Sequence, residues 1–187
     1  LSVKDGVVVT QEGENWVVSN NGTKDSPRYF KIAEVTDVPG YRLEREEGGF
    51  AGDTNVLTYN YYPEGESPIV SAYVGTGNGE YNVLSESARA SYGSYMTGAV
   101  IGEAVDTEFA GKPARYFTYR YSYTAQNEDG TPGEATYYAG VNLYVKAGHG
   151  RCVILHLSAE NAQEAALPTD DAIIALIPDF APGVVID

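Results

Sequence analysis

The fold is decided by residues 114–159, which read ARYFTYRYSYTAQNEDGTPGEATYYAGVNLYVKAGHGRCVILHLSA. Large apolar or aromatic residues alternate with smaller or polar ones over much of this stretch, which is typical of β-strands with two different faces. Turn-rich segments at 127–133 and 148–150 divide it into three runs, so it predicts an antiparallel meander. Four aromatic residues of the first run share one face and are core candidates: Phe117, Tyr119, Tyr121 and Tyr123.

The short turn at 148–150 can fix the register of the second and third runs, because glycine supplies the positive φ that tight hairpins need. If Ala147 opposes Arg151, one face of the pair is apolar throughout. The facing pairs are then Val145 with Val153, Leu143 with Leu155, and Val141 with Leu157. A slip of one residue would turn this face outward. The third run is apolar at nearly every position, which predicts a central strand with both faces covered.

A binding face is predicted on the side of the meander opposite to its apolar face. On this side the same register places Tyr144 opposite Ile154 and Asn142 opposite His156. Aromatic planes combined with hydrogen-bonding groups suit sugars or peptides. The predicted residues are Tyr116, Arg120, Tyr138, Asn142 and Tyr144. The alternative is that a helix covers this face and its polar groups satisfy one another.

Length and charge restrict the organisation and the partners. The 187 residues fit one domain, with an N-terminal β-hairpin and strand extension at 1–34 and a core at 35–187. A formal charge of −14 with only 12 Lys and Arg residues opposes binding to nucleic acid or to anionic membrane. No apolar run reaches the length of a membrane-spanning helix. The sixteen tyrosines and few lysines resemble extracytoplasmic bacterial proteins, and we expect any signal or anchor segment to lie outside this chain.

Three further elements are predicted from local patterns. Segments 6–10 and 15–19 favour a first hairpin. Ser85 can cap a helix whose apolar stripe includes Met96 and Ala99, with Gly98 near its end. A second helix begins after Thr169 and ends at Pro178, with acidic residues in its first turn.

The order of these elements resembles the PsbP-like superfamily. The residues that carry the resemblance are the segments 38–41, 109–116, 152–159 and 172–180, together with the helix from Ser85. The resemblance begins near Val35 and excludes the N-terminal hairpin. It implies an α+β fold in which an antiparallel β-sheet has flanking helices, as an α/β/α sandwich. It implies no common catalytic residue, and most bacterial members resemble binding or accessory proteins, many of them lipoproteins.

No motif of metal, phosphate or nucleophilic chemistry is present. Cys152 and His156 share a strand face but are about 13 Å apart, too far to hold one zinc. The loops 127–134 and 49–55 offer oxygen ligands that could hold calcium, but both lack the alternating pattern of a calcium loop, and ordinary turns are favoured. Cys152 sits in the most apolar run and is read as inert core. We therefore predict no cofactor, no metal site and no catalytic residue.

Two classes of function follow. The favoured one is a non-enzymatic extracytoplasmic protein of the cell envelope, a lipoprotein in type, that binds an unidentified protein or glycan. The alternative is a surface glycan- or peptide-acting hydrolase that uses carboxylates whose pairing the sequence does not reveal. Two carboxylates about 5 to 10 Å apart across a cleft would favour the hydrolase.

Overall fold

The computed structural model describes residues 2–4, 7–9, 16–20, 29–46, 50–51, 54–55, 58–78, 96–148 and 151–186. Antiparallel β-sheet dominates these residues. The strands are β1 (Ser2–Lys4), β2 (Val7–Val9), β3 (Trp16–Asn20), β4 (Tyr29–Val35), β5 (Tyr41–Glu46), β6 (Phe50–Ala51), β7 (Thr54–Asn55), β8 (Thr58–Pro63), β9 (Ser71–Asn78), β10 (Thr97–Ile101), β11 (Val105–Phe109), β12 (Lys112–Gln126), β13 (Pro132–Lys146), β14 (Arg151–Asn161) and β15 (Val184–Ile186).

Helical structure in the described residues lies near the C-terminus. It consists of α1 (Asp170–Ile174) and α2 (Ile177–Phe180), with 3-10 turns at Glu164–Ala166 and Ala181–Gly183. Thr169 caps α1 as predicted, since its hydroxyl accepts a 3.2 Å hydrogen bond from the Ala172 amide. Pro178 lies in the first turn of α2 instead of ending a longer helix, because a proline in the first turn has no intrahelical amide bond to lose.

The predicted α/β/α sandwich with flanking helices is wrong. The described chain is mostly antiparallel β-sheet. Most of the helix predicted from Ser85 lies outside the described residues, but its predicted end is wrong, because Ala99 belongs to strand β10. Two β-branched residues, Val100 and Ile101, pair there with β12, and such residues favour strands over helices. Met96 is half-buried at a bend before this strand.

The predicted meander is confirmed. Strands β12, β13 and β14 are antiparallel neighbours in an eight-stranded sheet of order β10-β12-β13-β14-β9-β8-β5, and β11 also pairs with β12. The register of β13 and β14 is the predicted one: Val145 faces Val153, Leu143 faces Leu155, and Val141 faces Leu157. β14 lies between β13 and β9, so it is the central strand that its apolar sequence predicted.

The eight-stranded sheet has two distinct sides. The helix face is the apolar side, and it packs against α1, α2, β4 and β15 in one core cluster. Its central members are Val141, Leu143, Val145, Val153, Leu155 and Leu157. The tyrosine face is the opposite side, and its members on the central strands include Phe117, Tyr119, Tyr121, Tyr123, Tyr138, Asn142, Tyr144 and His156. Phe117 and Tyr119 are buried as predicted, whereas Tyr123 is exposed.

The N-terminal strands pair differently from the prediction. β2 pairs with β1, and β3 pairs with β4, so the hairpin expected between segments 6–10 and 15–19 is not among the pairings of the described residues. β4 lies between β3 and β15 in a three-stranded sheet. Ala33 and Val35 of β4 join the same core cluster as the meander.

Candidate functional site

Three of the five predicted binding residues lie together on the tyrosine face. Tyr144 faces Ile154 and Asn142 faces His156 across the β13–β14 ladder, as predicted. Tyr138 lies on the same side of β13, nearer to the tip of the hairpin with β12. These three residues therefore share one surface, and their role in binding stays a prediction.

The other two predicted residues, Tyr116 and Arg120, lie on the helix face. In the β12–β13 ladder Tyr116 faces Leu143 and Arg120 faces Ala139. Directly paired residues of an antiparallel sheet point to the same side, so Tyr116 and Arg120 are separated from the first three by the thickness of the sheet. The prediction of one face with all five residues is corrected here.

A β-bulge at the end of the hairpin explains this difference. Gln126 faces Pro132, whereas Thr124 faces Ala135, so β13 uses one residue more than β12 between these pairs. Without the bulge, even-numbered residues of β12 would face even-numbered residues of β13, which is the arrangement expected from the sequence. A shift of one residue moves every side chain of a strand to the other face.

Arg120 is bound to the start of α1. Its Nε is 2.8 Å from Oδ1 of Asp170, and its Nη2 donates to the carbonyl of Pro168 at 2.5 Å. Both side chains of the ion pair are about one-third exposed or more. A cavity of about 390 Å³ opens between Arg120 and the first turn of α1. The guanidinium therefore ties β12 to the C-terminal helices.

A tyrosine and a histidine form the polar centre of the tyrosine face. The hydroxyl of Tyr119 is 2.5 Å from Nε2 of His156, and the two rings are 5.6 Å apart between centroids. Burial lowers the pKa of His156 to about 4, since desolvation disfavours the charged imidazolium. The ring is thus neutral at pH 7, and Nε2 can accept a hydrogen bond from Tyr119.

Asn142 adds an amide to this centre. It is 5% exposed and lies directly opposite His156. Its Nδ2 has no hydrogen-bond partner within the described chain. A buried donor without a partner costs about 1 to 3 kcal/mol, so this position carries an energetic penalty that an apolar residue would avoid.

Aromatic pairs continue along the tyrosine face on both sides of that centre. Phe117 and Tyr144 stack with centroids 6.3 Å apart and an interplanar angle of 21°. Tyr121 and Tyr138 stack more closely, at 4.8 Å and 15°. Such pairs contribute about 0.5 to 1.5 kcal/mol beyond their buried area. The stack of Tyr121 on Tyr138 leads towards the solvent, because the next aromatic residue on β12, Tyr123, is 60% exposed.

The hairpin of β12 and β13 extends beyond the sheet at this end. β14 pairs with β13 only as far as Tyr137, and β10 pairs with β12 only as far as Ser122. Residues 123–132 are all exposed. Between Tyr121 and Val145 the sequence contains no Lys or Arg. Beyond these pairs the hairpin projects as an acidic ribbon, and Tyr123 on it continues the line of Tyr121 and Tyr138 on the tyrosine face.

The polar side chains at the tip of the hairpin form hydrogen bonds with one another and with the backbone of the turn. The Asp129 carboxylate accepts hydrogen bonds from the amide of Thr131 at 3.0 Å and from its hydroxyl at 2.6 Å. These bonds hold the pKa of Asp129 below its usual value. The side-chain Nδ2 of Asn127 donates a hydrogen bond to the Thr131 hydroxyl at 3.0 Å. The tip thus has the self-bonded geometry of an Asx-type turn.

Within the described ranges no three His, Cys, Asp or Glu side chains are grouped so that they could hold a metal ion. None of the helices in the described chain has the length and apolarity to cross a membrane. No protein-family model matches the chain, and no curated protein matches it.

The contact between Tyr119 and His156 was not predicted from the sequence. Its one sequence signal is Gly140, which lies on β13 between the two strands. Tyr119 faces Gly140, and Gly140 faces Ser158, which is two residues after His156 on β14. A glycine inside a strand often marks a close approach of another group. A methyl group at Gly140 would be 2.5 Å from Cζ of Tyr119, so only glycine admits this ring.

Proposed function

We propose that this chain is a non-enzymatic extracytoplasmic protein of the cell envelope that binds a glycan or a protein partner through the projecting hairpin. The observation that carries the proposal is the line of Tyr138, Tyr121 and Tyr123 on one side of that hairpin. The first two stack on each other, and the third is exposed.

Tyrosines suit such a contact because each offers an apolar ring and a hydroxyl with few rotatable bonds. Thr136 and Glu160 are the cross-strand partners of Tyr123 and Tyr138, so hydrogen-bonding groups flank the rings. The absence of Lys and Arg from residues 121–145 disfavours a phosphate-bearing ligand on this surface. A neutral sugar or a neutral to basic peptide fits its chemistry better.

The hydrolase alternative has no support from a specific observation. Asp170 and Asp171 line the cavity beside Arg120. They are consecutive residues in the first turn of α1 and do not face each other across a cleft. Asp170 is also bound to Arg120. A pair of carboxylates with one acid and one base role needs two different environments on opposite sides of a substrate.

The cellular location and the resemblance to the PsbP-like superfamily stay predictions. The location is expected from composition, in particular the sixteen tyrosines and the few lysines. The binding proposal does not depend on the superfamily, because it rests on the geometry of the hairpin.

Binding to an array of bacterial surface polysaccharides, and to a displayed peptide library, tests the proposal. We expect the double variant Tyr123→Ser, Tyr138→Ser to weaken any selected ligand at least about tenfold, which corresponds to about 1.4 kcal/mol. Tyr137→Ser is the matched control, because Tyr137 lies on the same hairpin but on its other side. Equal binding by the double variant and the wild type would contradict the proposal.

A further inference from the structure

An apolar groove lies at the edge of the helix face, away from the tyrosine face. β11 and the start of β12 form one wall, and α1 and α2 form the other. Its volume is about 210 Å³. The side chains that shape it include Thr107, Phe109, Tyr116, Ile174, Ile177 and Pro178. Tyr116, one of the predicted binding residues, is thus placed in a groove instead of on the tyrosine face.

The strand beside the groove has an open edge. β11 pairs with β12, and no second partner of β11 occurs in the described chain. Four of its five residues, Val105 to Glu108, are exposed. Such an edge presents backbone N–H and C=O groups that another strand can bind.

The register of the hairpin identifies the groups that face outward. Phe109 and Lys112 close a two-residue turn, in which Ala110 and Gly111 both have positive φ, 50° and 74°. In a hairpin of this kind the closing pair exchanges hydrogen bonds, and so does every second pair after it. The amides and carbonyls of Glu108 and Asp106 therefore point away from β12, towards the open edge.

The turn itself also shapes the groove. Ala110 adopts a left-handed conformation that favours glycine or asparagine, and alanine is strained there. Its side chain lines the groove, whereas a glycine would leave that part of the wall open. Ala110 therefore lies beside both the groove and the open edge of β11.

The size of the groove suits one side chain. Pockets for small molecules occupy about 300 to 1,000 Å³, and this groove is smaller. In a strand added to β11, alternate side chains would point to the side of Thr107, which is the side of the groove. Recognition by strand addition uses main-chain hydrogen bonds for affinity and such a pocket for specificity.

The charge around the groove indicates the flanking residues of the occupant. Glu108 forms part of the wall, and Asp179 follows Pro178 in α2. Lys112 lies across the turn, and Asp106 is paired with Arg115 at 2.5 Å. With a net charge of −14 for the whole chain, the surroundings favour lysine or arginine beside the apolar anchor.

We propose that the open edge of β11 and the adjacent groove bind an extended peptide segment with one large apolar side chain and basic flanks. The segment adds a strand to the sheet through Asp106 and Glu108 and inserts its apolar side chain beside Thr107. This site is independent of the hairpin tyrosines, which lie on the other side of the sheet.

The test uses a labelled ten-residue peptide of alternating lysine and threonine with one central phenylalanine. A second peptide has glycine in place of the phenylalanine. We expect saturable binding of the first peptide by fluorescence anisotropy, at least about tenfold weaker binding of the second, and shifts of the Asp106 and Glu108 amide resonances in NMR spectra. No saturable binding at about 1 mM, the weak end of specific affinity, would overturn the proposal.

Two pairs of variants separate the groove from the edge. Thr107→Trp fills the groove at an exposed position and should weaken binding at least about tenfold. Val70→Trp, an exposed substitution beside the start of β9, should not. Glu108→Pro removes an outward amide that the β12 ladder does not use, and it should weaken binding more than Glu108→Gln, which removes only the charge.

The variants also exclude the competing explanations. Equal binding by Thr107→Trp and the wild type would show that the groove is not used and would overturn the proposal. Equal effects of Glu108→Pro and Glu108→Gln would reduce the contact to simple charge attraction. A concentration-dependent dimer of the free protein that Glu108→Pro abolishes would assign the edge to a second copy of the chain and would also overturn it.

Discussion

The hydroxyl of Tyr119 reaches across Gly140 to the imidazole of His156, with 2.5 Å between the oxygen and Nε2. Tyr119 belongs to β12 and His156 to β14, so the contact spans the strand that lies between them. Tyr119 is buried, and its ring lies over the backbone of Gly140. One glycine thus allows two strands that are not neighbours to share a polar contact.

Gly140→Ala should destabilise the fold. A Cβ at this position would be 2.5 Å from the carbonyl oxygen of Leu157 and equally close to the Tyr119 ring. One contact is with backbone, which cannot move aside cheaply, so we expect a loss of about 1 to 3 kcal/mol in chemical denaturation. Gly65→Ala is the matched control, because nothing lies within 4 Å of its added Cβ. A loss equal to that of the control would contradict the close approach.

Leu155→Ala tests the central position of β14. Leu155 is 1% exposed and faces Leu143 on the helix face. Its truncation should cost about 2 to 5 kcal/mol through lost burial and a cavity, measured by urea unfolding. Val185→Ala, at an exposed position of β15, should change the free energy of unfolding by about 0.5 kcal/mol or less. A cost below about 1 kcal/mol for Leu155→Ala would be incompatible with a core role.

Arg120→Ala should lower stability by about 0.5 to 1.5 kcal/mol. The guanidinium bonds both Asp170 and the Pro168 carbonyl, but the pair is partly exposed, so screening keeps the effect modest. Lys146→Ala serves as the control, because Lys146 is an exposed basic residue at the end of β13 and its truncation should change stability little. Thermal unfolding of the two variants should therefore differ, and identical melting temperatures would contradict the role of Arg120.

Cys152 should react with a thiol reagent only after denaturation. Its thiol is not part of a disulfide, and the residue is 2% exposed in the central strand β14. Reaction needs access of the reagent to the thiolate, which the folded protein blocks. The measurement is the rate of disulfide exchange with an aromatic disulfide, with and without denaturant. Rapid labelling of the folded protein would show that the strand opens locally.

The register of β13 and β14 could be predicted because a short turn and an apolar pattern act together. The apolar pattern excludes a slip of one residue, and the short turn at 148–150 favours the alignment of Val145 with Val153 over larger slips. The register of β12 could not be predicted in the same way. Four of its aromatic residues share one face, but the loop at 127–133 that joins it to β13 is long enough to admit a bulge, so turn geometry does not select one alignment. The bulge near Gln126 then decided which face Tyr116 and Arg120 occupy.

The layers of the fold were harder to predict than its strands. Strand pairing is encoded locally by alternation, whereas the cover of the helix face comes from distant segments. β4 and β15 are about 150 residues apart in sequence and still pair. Thr169 and the acidic residues after it indicated the start of α1 correctly, because capping is a local interaction. The placement of β15 beside β4 has no comparable local signal.

The protein should become less stable as the pH is lowered, because His156 then takes up a proton. Its folded pKa is about 4, below its ordinary value of 6.5, so the unfolded chain binds more protons between these pH values. The stabilisation from the neutral ring is present above about pH 6.5 and is lost as the pH falls towards 4. The full shift corresponds to roughly 3 kcal/mol.

The variant His156→Gln removes this titration but keeps a hydrogen-bonding partner for Tyr119. Subtracting the free energy of unfolding of this variant from that of the wild type cancels the contribution of the carboxylates that titrate in the same range. We expect this difference to move against the wild type as the pH falls from 7 to 4, measured by urea unfolding at each pH. A difference that does not change with pH would mean that His156 keeps an ordinary pKa in the folded protein.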